Sequence, residues 1–251
     1  MNTSTNTNAN TDEKYINNKR NVIKNLQHSM IATALAEFIT LPVCTIKTHF
    51  QTGNFNNMKE TYIFIMNKYG LKGFYRASIP AITSQTFSTA SKYTAYKYIC
   101  DNYNGNKFVN NTIACTMISL ITHPLDCIKV NMQLGINGIM NMIIKDKHQF
   151  FYRGYSKTLA KTMITAPLFF PLCELIDETI HNKLYSSLIS SIIATITMQP
   201  LDYMKTINMA GVTLWQPWHP KIYFRGLSMN LCRIVPHFVI VMTTIDYLNS
   251  I

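Results

Sequence analysis

A proline followed by an acid two residues on and a lysine five residues on occurs twice in this chain. The two copies are Pro124-Leu125-Asp126-Cys127-Ile128-Lys129 and Pro200-Leu201-Asp202-Tyr203-Met204-Lys205. A third proline–lysine pair, Pro42 and Lys47, carries Cys44 where the others have the acid. Acid and base three residues apart lie on one face of a helix, and proline inside that helix removes a backbone hydrogen bond and bends the axis. Carboxylates and ammoniums brought together on bent helices form ion pairs that can break and reform. That is the chemistry of a gate rather than of bond making. The plainer alternative, a local pair on each helix surface worth about 0.3–0.5 kcal/mol, suits one copy better than three in phase.

A second signature keeps the same phase. Tyr75-Arg76-Ala77, Tyr152-Arg153-Gly154 and Phe224-Arg225-Gly226 follow the three prolines, with 34, 29 and 25 residues from proline to arginine. Two motifs in one order, three times, make the chain a threefold internal repeat. Repeat 1 covers about 22–105, repeat 2 about 106–182 and repeat 3 about 183–251, one domain in all.

Each repeat supplies two long apolar stretches. The first carries the proline (22–50, 108–133, 184–208) and the second follows the arginine triplet (78–101, 155–181, 227–249). At 1.5 Å per residue each is long enough to cross a bilayer core of about 30 Å. Ser186, Ser187, Ser190, Ser191, Thr195 and Thr197 interrupt Leu188, Ile189, Ile192, Ile193 and Ile196, so these helices carry a face that tolerates close packing and water. Residues 58–68 predict a short surface helix between the two long ones, with shorter counterparts at 136–147 and 211–222. The segment from Lys47 to Arg76 has a surplus of four positive charges, marking one side of the membrane. The expected fold class is an all-α membrane protein: six tilted transmembrane helices in three pseudo-repeats of two, with short surface helices between them.

The 251 residues are 47% apolar and only 14% charged, with a formal net charge of +11 and a mean hydropathy of +0.04. So few charges suit a membrane protein better than a soluble domain, and the positive excess suits an anionic partner. The bases are spread one or two per motif and no nucleic-acid-binding motif collects them, so nucleic acid is not expected. Six cysteines form no CxxC pair and no zinc spacing. No nucleophile–base arrangement or phosphate loop appears, so an enzyme is the least expected class, with no cofactor or metal. The polar tract at residues 1–21, rich in Asn and Thr, is expected to be disordered. It carries neither an apolar run nor an Arg-rich amphipathic pattern, so any targeting signal is expected to be internal.

From residue 22 onward these motifs resemble the mitochondrial carrier family, whose signature is Pro-x-[Asp/Glu]-x-x-[Lys/Arg], a short helix and an aromatic-basic-Gly triplet. The resemblance implies matrix-side short helices, both termini on the cytosolic side, and alternating access around one central site in the mitochondrial inner membrane. It also implies a functional monomer with membrane lipid, cardiolipin included, as a partner. Carried over residue by residue, it implies a matrix gate in which Asp126 pairs with Lys205 and Asp202 with Lys47. Lys129 would lack a partner, because Cys44 stands where the third acid belongs. Gln51 and Gln133 match the family's bracing glutamines, and Met209 replaces the third. The second network, at the cytosolic side, is poorly kept: Glu174 and Asp246 hold acid positions, Lys97 holds another, and Asp177 and Asn249 stand where bases are expected.

The family's substrate contacts lie about eight residues beyond each triplet's basic residue. This gives Ser84, Lys161 with Thr162, and Arg233, and Lys92 adds a further cation two turns beyond Ser84. An unpaired base at membrane depth reads as a ligand site, and several cations with little nearby acid favour phosphates or carboxylates. The substrate expected is a multiply charged anion, a nucleotide or deoxynucleotide exchanged one for another. The Lys161-Thr162 pair is closer to carboxylate carriers, so a carboxylate or amino-acid carrier is the alternative. Two others are a carrier-shaped scaffold that moves no solute and a soluble helical-repeat binding module.

Overall fold

The backbone of the computed structural model is described for residues 4–53, 55–102, 106–136, 139–212 and 220–250. Side chains through Val22, and those of several helical residues including Lys97, Glu174, Asp246 and Asn249, lie outside the described residues. All regular structure among the described residues is helical. Six helices are long: α1 (Ser4–Thr52), α4 (Ser78–Asn102), α5 (Lys107–Gln133), α7 (Tyr155–Ile180), α8 (Lys183–Met209) and α10 (Leu227–Ser250). Four are short: α2 (Met58–Tyr69), α3 (Leu71–Phe74), α6 (Ile139–Phe151) and α9 (Pro220–Tyr223). The long helices end within two residues of the sequence expectation everywhere but at the start of the first.

There the structure differs: α1 runs back to Ser4, through the tract expected to be disordered. Asn and Thr are poor helix formers, but no proline or glycine interrupts residues 4–41, so the helix has no stop signal. A second difference is α6, which at 13 residues is as long as α2 and turns sharply at Lys147, whose φ is 46°.

The bundle is polar inside and apolar outside. On α1 the buried positions are Ala32, Ala36, Glu37 and Thr40, while Ile31, Leu35, Phe38 and Ile39 are about half exposed. On α5 Asn110, Ser119, Thr122 and His123 are buried, while Val109, Met117 and Ile121 face out. A soluble bundle buries its large aliphatics; this inversion places hydrocarbon at the perimeter and small or hydroxylated residues where helices touch. The segments Leu26–Thr52, Val109–Gln133 and Lys221–Ile245 are long and apolar enough to cross a membrane by hydropathy alone. The α8 helix satisfies its hydroxyls internally: Ser190 donates to the Ser186 carbonyl at 2.6 Å and Thr195 to the Ser191 carbonyl at 2.7 Å.

Neighbouring long helices pack in a closed ring, α1 on α4, α4 on α5, α5 on α7, α7 on α8, α8 on α10 and α10 on α1. Pro42, Pro124 and Pro200 lie inside α1, α5 and α8. The arginine triplets then lock each repeat to the next. Arg225 of repeat 3 donates to the carbonyls of Gly53 (2.9 Å) and Phe55 at the end of α1. Arg76 lies against Gly135, and Arg153 against Gly211, each so close that a Cβ there would stand within 3 Å of the guanidinium. Each of these glycines is eleven residues past its proline, so one arginine caps one helix C-terminus, where a cation is favoured by the exposed carbonyls.

Candidate functional site

The six long helices enclose a central cavity of about 330 Å³, lined by residues that flank Pro42, Pro124 and Pro200. Every long helix contributes to its lining: Lys47 from α1, Ser84 and Lys92 from α4, Asp126 and Lys129 from α5, Lys161 and Thr162 from α7, Asp202 and Lys205 from α8, and Arg233 from α10. The proline motif therefore does bring its charges to a common axis, and the residues expected to touch substrate stand in the same space.

Two of the expected gate pairs form. Lys205 donates to Asp126 at 3.0 Å. Lys47 approaches Asp202 only to 3.9 Å, and Asn230 fills the gap. Asn230 accepts from Lys47 at 2.8 Å and donates to Asp202 at 3.1 Å and to the Gln199 side chain at 2.9 Å. The reading of motifs alone passes over Asn230, a neutral residue five positions beyond Arg225.

The third pair corrects the sequence expectation. Lys129 is not without a partner: it donates to the carboxylate of Glu37 on α1. Glu37 is fully buried and lies seven residues before Cys44, which is two helical turns along the same face. Its signal in the sequence is its isolation, as the single acid among the apolar and hydroxylated residues 30–46.

The substrate candidates are likewise not surrounded by little acid. Arg233 donates to Glu37 at 3.3 Å, Lys161 to Asp202 at 2.5 Å, and Ser84 to Asp126 at 2.6 Å. The three contacts obey one rule: an even-numbered member of the six long helices holds an acid on the first helix of the following repeat. Paired charges satisfy the demand that buried ions be compensated. Lys92 makes no ion pair with any described residue, and Thr162 turns its hydroxyl to the Thr158 carbonyl of its own helix at 2.9 Å. Counting Glu37, six cations face three carboxylates, so the cavity keeps a surplus of positive charge.

The glutamines do not brace the ion pairs. Gln51 donates to the Arg225 carbonyl at 3.0 Å, and Gln133 accepts from Thr48 at 2.8 Å. Met209, in the third copy, is buried, and its carbonyl accepts from Asn131 at 3.0 Å. His123 is a structural residue: it is buried, donates from Nε2 to the Arg153 carbonyl at 3.0 Å, and accepts from Thr158 at Nδ1. Gln199, one residue before Pro200 as His123 is before Pro124, binds the Arg225 carbonyl in the same way. Of the second network, Asp177 accepts from Ser186 at 3.2 Å; Lys97, Glu174, Asp246 and Asn249 lie outside the described residues.

These features, a threefold ring of six helices around a charged cavity, define a membrane solute carrier. The mitochondrial carrier protein family matches residues 18–107. Mitochondrial carrier-like protein L276 of Acanthamoeba polyphaga mimivirus is 46% identical over 228 residues, covering 90% of this chain and 95% of that protein. The chain belongs to the mitochondrial carrier family. Mitochondrial glycine transporters of Ovis aries and Homo sapiens are similar over a shorter stretch, 31% and 32% identical over 77 residues, a quarter of each of those proteins.

Proposed function

We propose that this carrier exchanges multiply charged anions across the mitochondrial inner membrane by alternating access, with nucleotides or deoxynucleotides as the first candidates. One observation carries the reading: a cavity of about 330 Å³ in which cations outnumber carboxylates by six to three. That volume is at the small end of ligand sites, and ammonium and guanidinium groups there gain most from phosphate or carboxylate oxygens. Lys92 offers an ammonium with no ion pair to a described residue to break first. The gate pairs at Asp126, Asp202 and Glu37 close one end of the path, and a second arrangement of the same helices would open it. The carrier acts as a monomer, with lipid, cardiolipin included, at its perimeter.

A second reading, an amino-acid or carboxylate substrate, is favoured by the local similarity to mitochondrial glycine transporters and by Lys161 standing next to Thr162 in the site. Uptake into proteoliposomes preloaded in turn with nucleotides, keto acids and amino acids separates the two. The first reading predicts exchange of nucleotides, and exchange of amino acids alone would replace it with the second. A protein that exchanges none of them would be a carrier-shaped scaffold.

A further inference from the structure

We propose that Glu37 replaces the gate acid missing at Cys44 and that its carboxylate occupies the seat on Arg233 that a transported anion must take. The second half rests on the anion-exchange reading above; the first does not. In the other two repeats one acid, Asp126 or Asp202, stands two residues past the proline and meets two partners. One is a gate lysine, Lys205 or Lys47, and the other is the even-helix contact residue, Ser84 or Lys161. Glu37 does the same two things from five residues before its proline: it binds the gate lysine Lys129 and the contact residue Arg233. The acid stands two turns earlier along α1, about 10 Å at 1.5 Å per residue, and its two partners meet it there from the same motif offsets as their counterparts in the other repeats.

This displacement has a consequence for selectivity. An anion arriving at Arg233 exchanges one carboxylate for another, so a singly charged solute gains little there. A solute with two or more charges keeps an advantage, because it also engages Lys92, which has no carboxylate to give up among the described residues. Release of Arg233 leaves Glu37 to Lys129 alone, so recognition at α10 and closure between α1 and α5 share one side chain. Glu37 is thus a positioning and specificity residue.

The test uses the purified full-length chain in detergent, with thermal unfolding as the readout and inorganic pyrophosphate as a simple multiply charged probe. Glu37→Gln and Lys129→Gln should each lower the midpoint, and the double variant should fall no further than the worse single one. Adding Cys44→Asp should restore part of the loss in Glu37→Gln but none in Lys129→Gln. Additive losses, or no restoration by Cys44→Asp, would overturn the gate assignment. If Glu37→Gln does not fold, Glu37→Asp keeps the charge and should hold the same coupling to Lys129→Gln. For the competition, Glu37→Gln should need about tenfold less pyrophosphate than the wild type for the same upward shift. An equal requirement would overturn the competition while leaving the gate cycle standing. No shift by pyrophosphate or by nucleotides in either protein would overturn the anion reading, and the competition with it.

Discussion

Lys129 and Glu37 are 92 residues apart in sequence and joined by an ion pair in the fold. The pair ties α5 to α1 although the acid position of the first proline motif holds Cys44. Because Arg233 shares the same carboxylate, α10 is tied in as well, and three helices from three repeats meet on one buried group. Removing either partner of a buried pair leaves an uncompensated charge, which costs more than the pair itself contributes.

Among the described residues Asp202 is the most heavily used acid, accepting from Lys161 and Asn230 and facing Lys47 at 3.9 Å. Asp202→Asn leaves two ammoniums without a counter-charge at a site that is partly open to the cavity. A loss of about 2–4 kcal/mol is expected, read as a clear fall in thermal midpoint. A midpoint within a degree of wild type would mean that water, not Asp202, compensates those lysines.

Asn230→Ala removes the bridge between Lys47 and Asp202 and leaves a gap of 3.9 Å between the charges. The expected cost is about 1–2 kcal/mol. Asn230→Asp adds a second acid beside Asp202, and like charges at that distance oppose each other, so it should be no better tolerated than alanine. A stabilised Asn230→Asp variant, measured by the same melt, would show that the lysines need more negative charge than they have.

Gly135 has φ +67°, and a Cβ there would meet the Tyr69 hydroxyl at 2.6 Å and Arg76 at 2.9 Å. Gly135→Ala is therefore strained twice, by its backbone and by the arginine that caps α5. A loss of about 1–3 kcal/mol is expected. Gly70→Ala serves as the control, since it has φ +64° but nothing within 4 Å, and should cost only the backbone part. Equal losses at the two positions would remove the arginine from the explanation.

Lys92→Ala breaks no ion pair among the described residues and should leave the thermal midpoint nearly unchanged, within about 0.5 kcal/mol. The concentration of anion needed for half-maximal exchange should rise about tenfold, the equivalent of 1.4 kcal/mol. An unchanged half-maximal concentration would mean that Lys92 faces the cavity without touching what passes through it.

Much of this was legible in the sequence because the proline motif fixes two things at once. It puts a proline in the first helix of each repeat and sets acid and base three residues apart on one face, while the particular pairs Asp126–Lys205 and Asp202–Lys47 came from the resemblance to the carrier family. Glu37 was not legible that way: a motif is read at fixed offsets, and a helix can present an acid to the same neighbour from one or two turns away. Asn230 was missed for a different reason, since a neutral bridge carries no charge signature. The arginine caps were half visible. The triplets stood out, but the glycines they cover are defined by backbone geometry, which only the packed repeat reveals. The N-terminal tract was misjudged because composition weighs propensity and gives no weight to a helix already nucleated downstream.

The most direct measurement of the central claim is nucleotide exchange in proteoliposomes by the wild type, Arg233→Ala and the exposed-surface control Lys72→Ala. The anion carrier described above predicts exchange by the wild type and by Lys72→Ala, and loss of most of it in Arg233→Ala. Full exchange by Arg233→Ala, or none by the wild type with any anion tested, would contradict it.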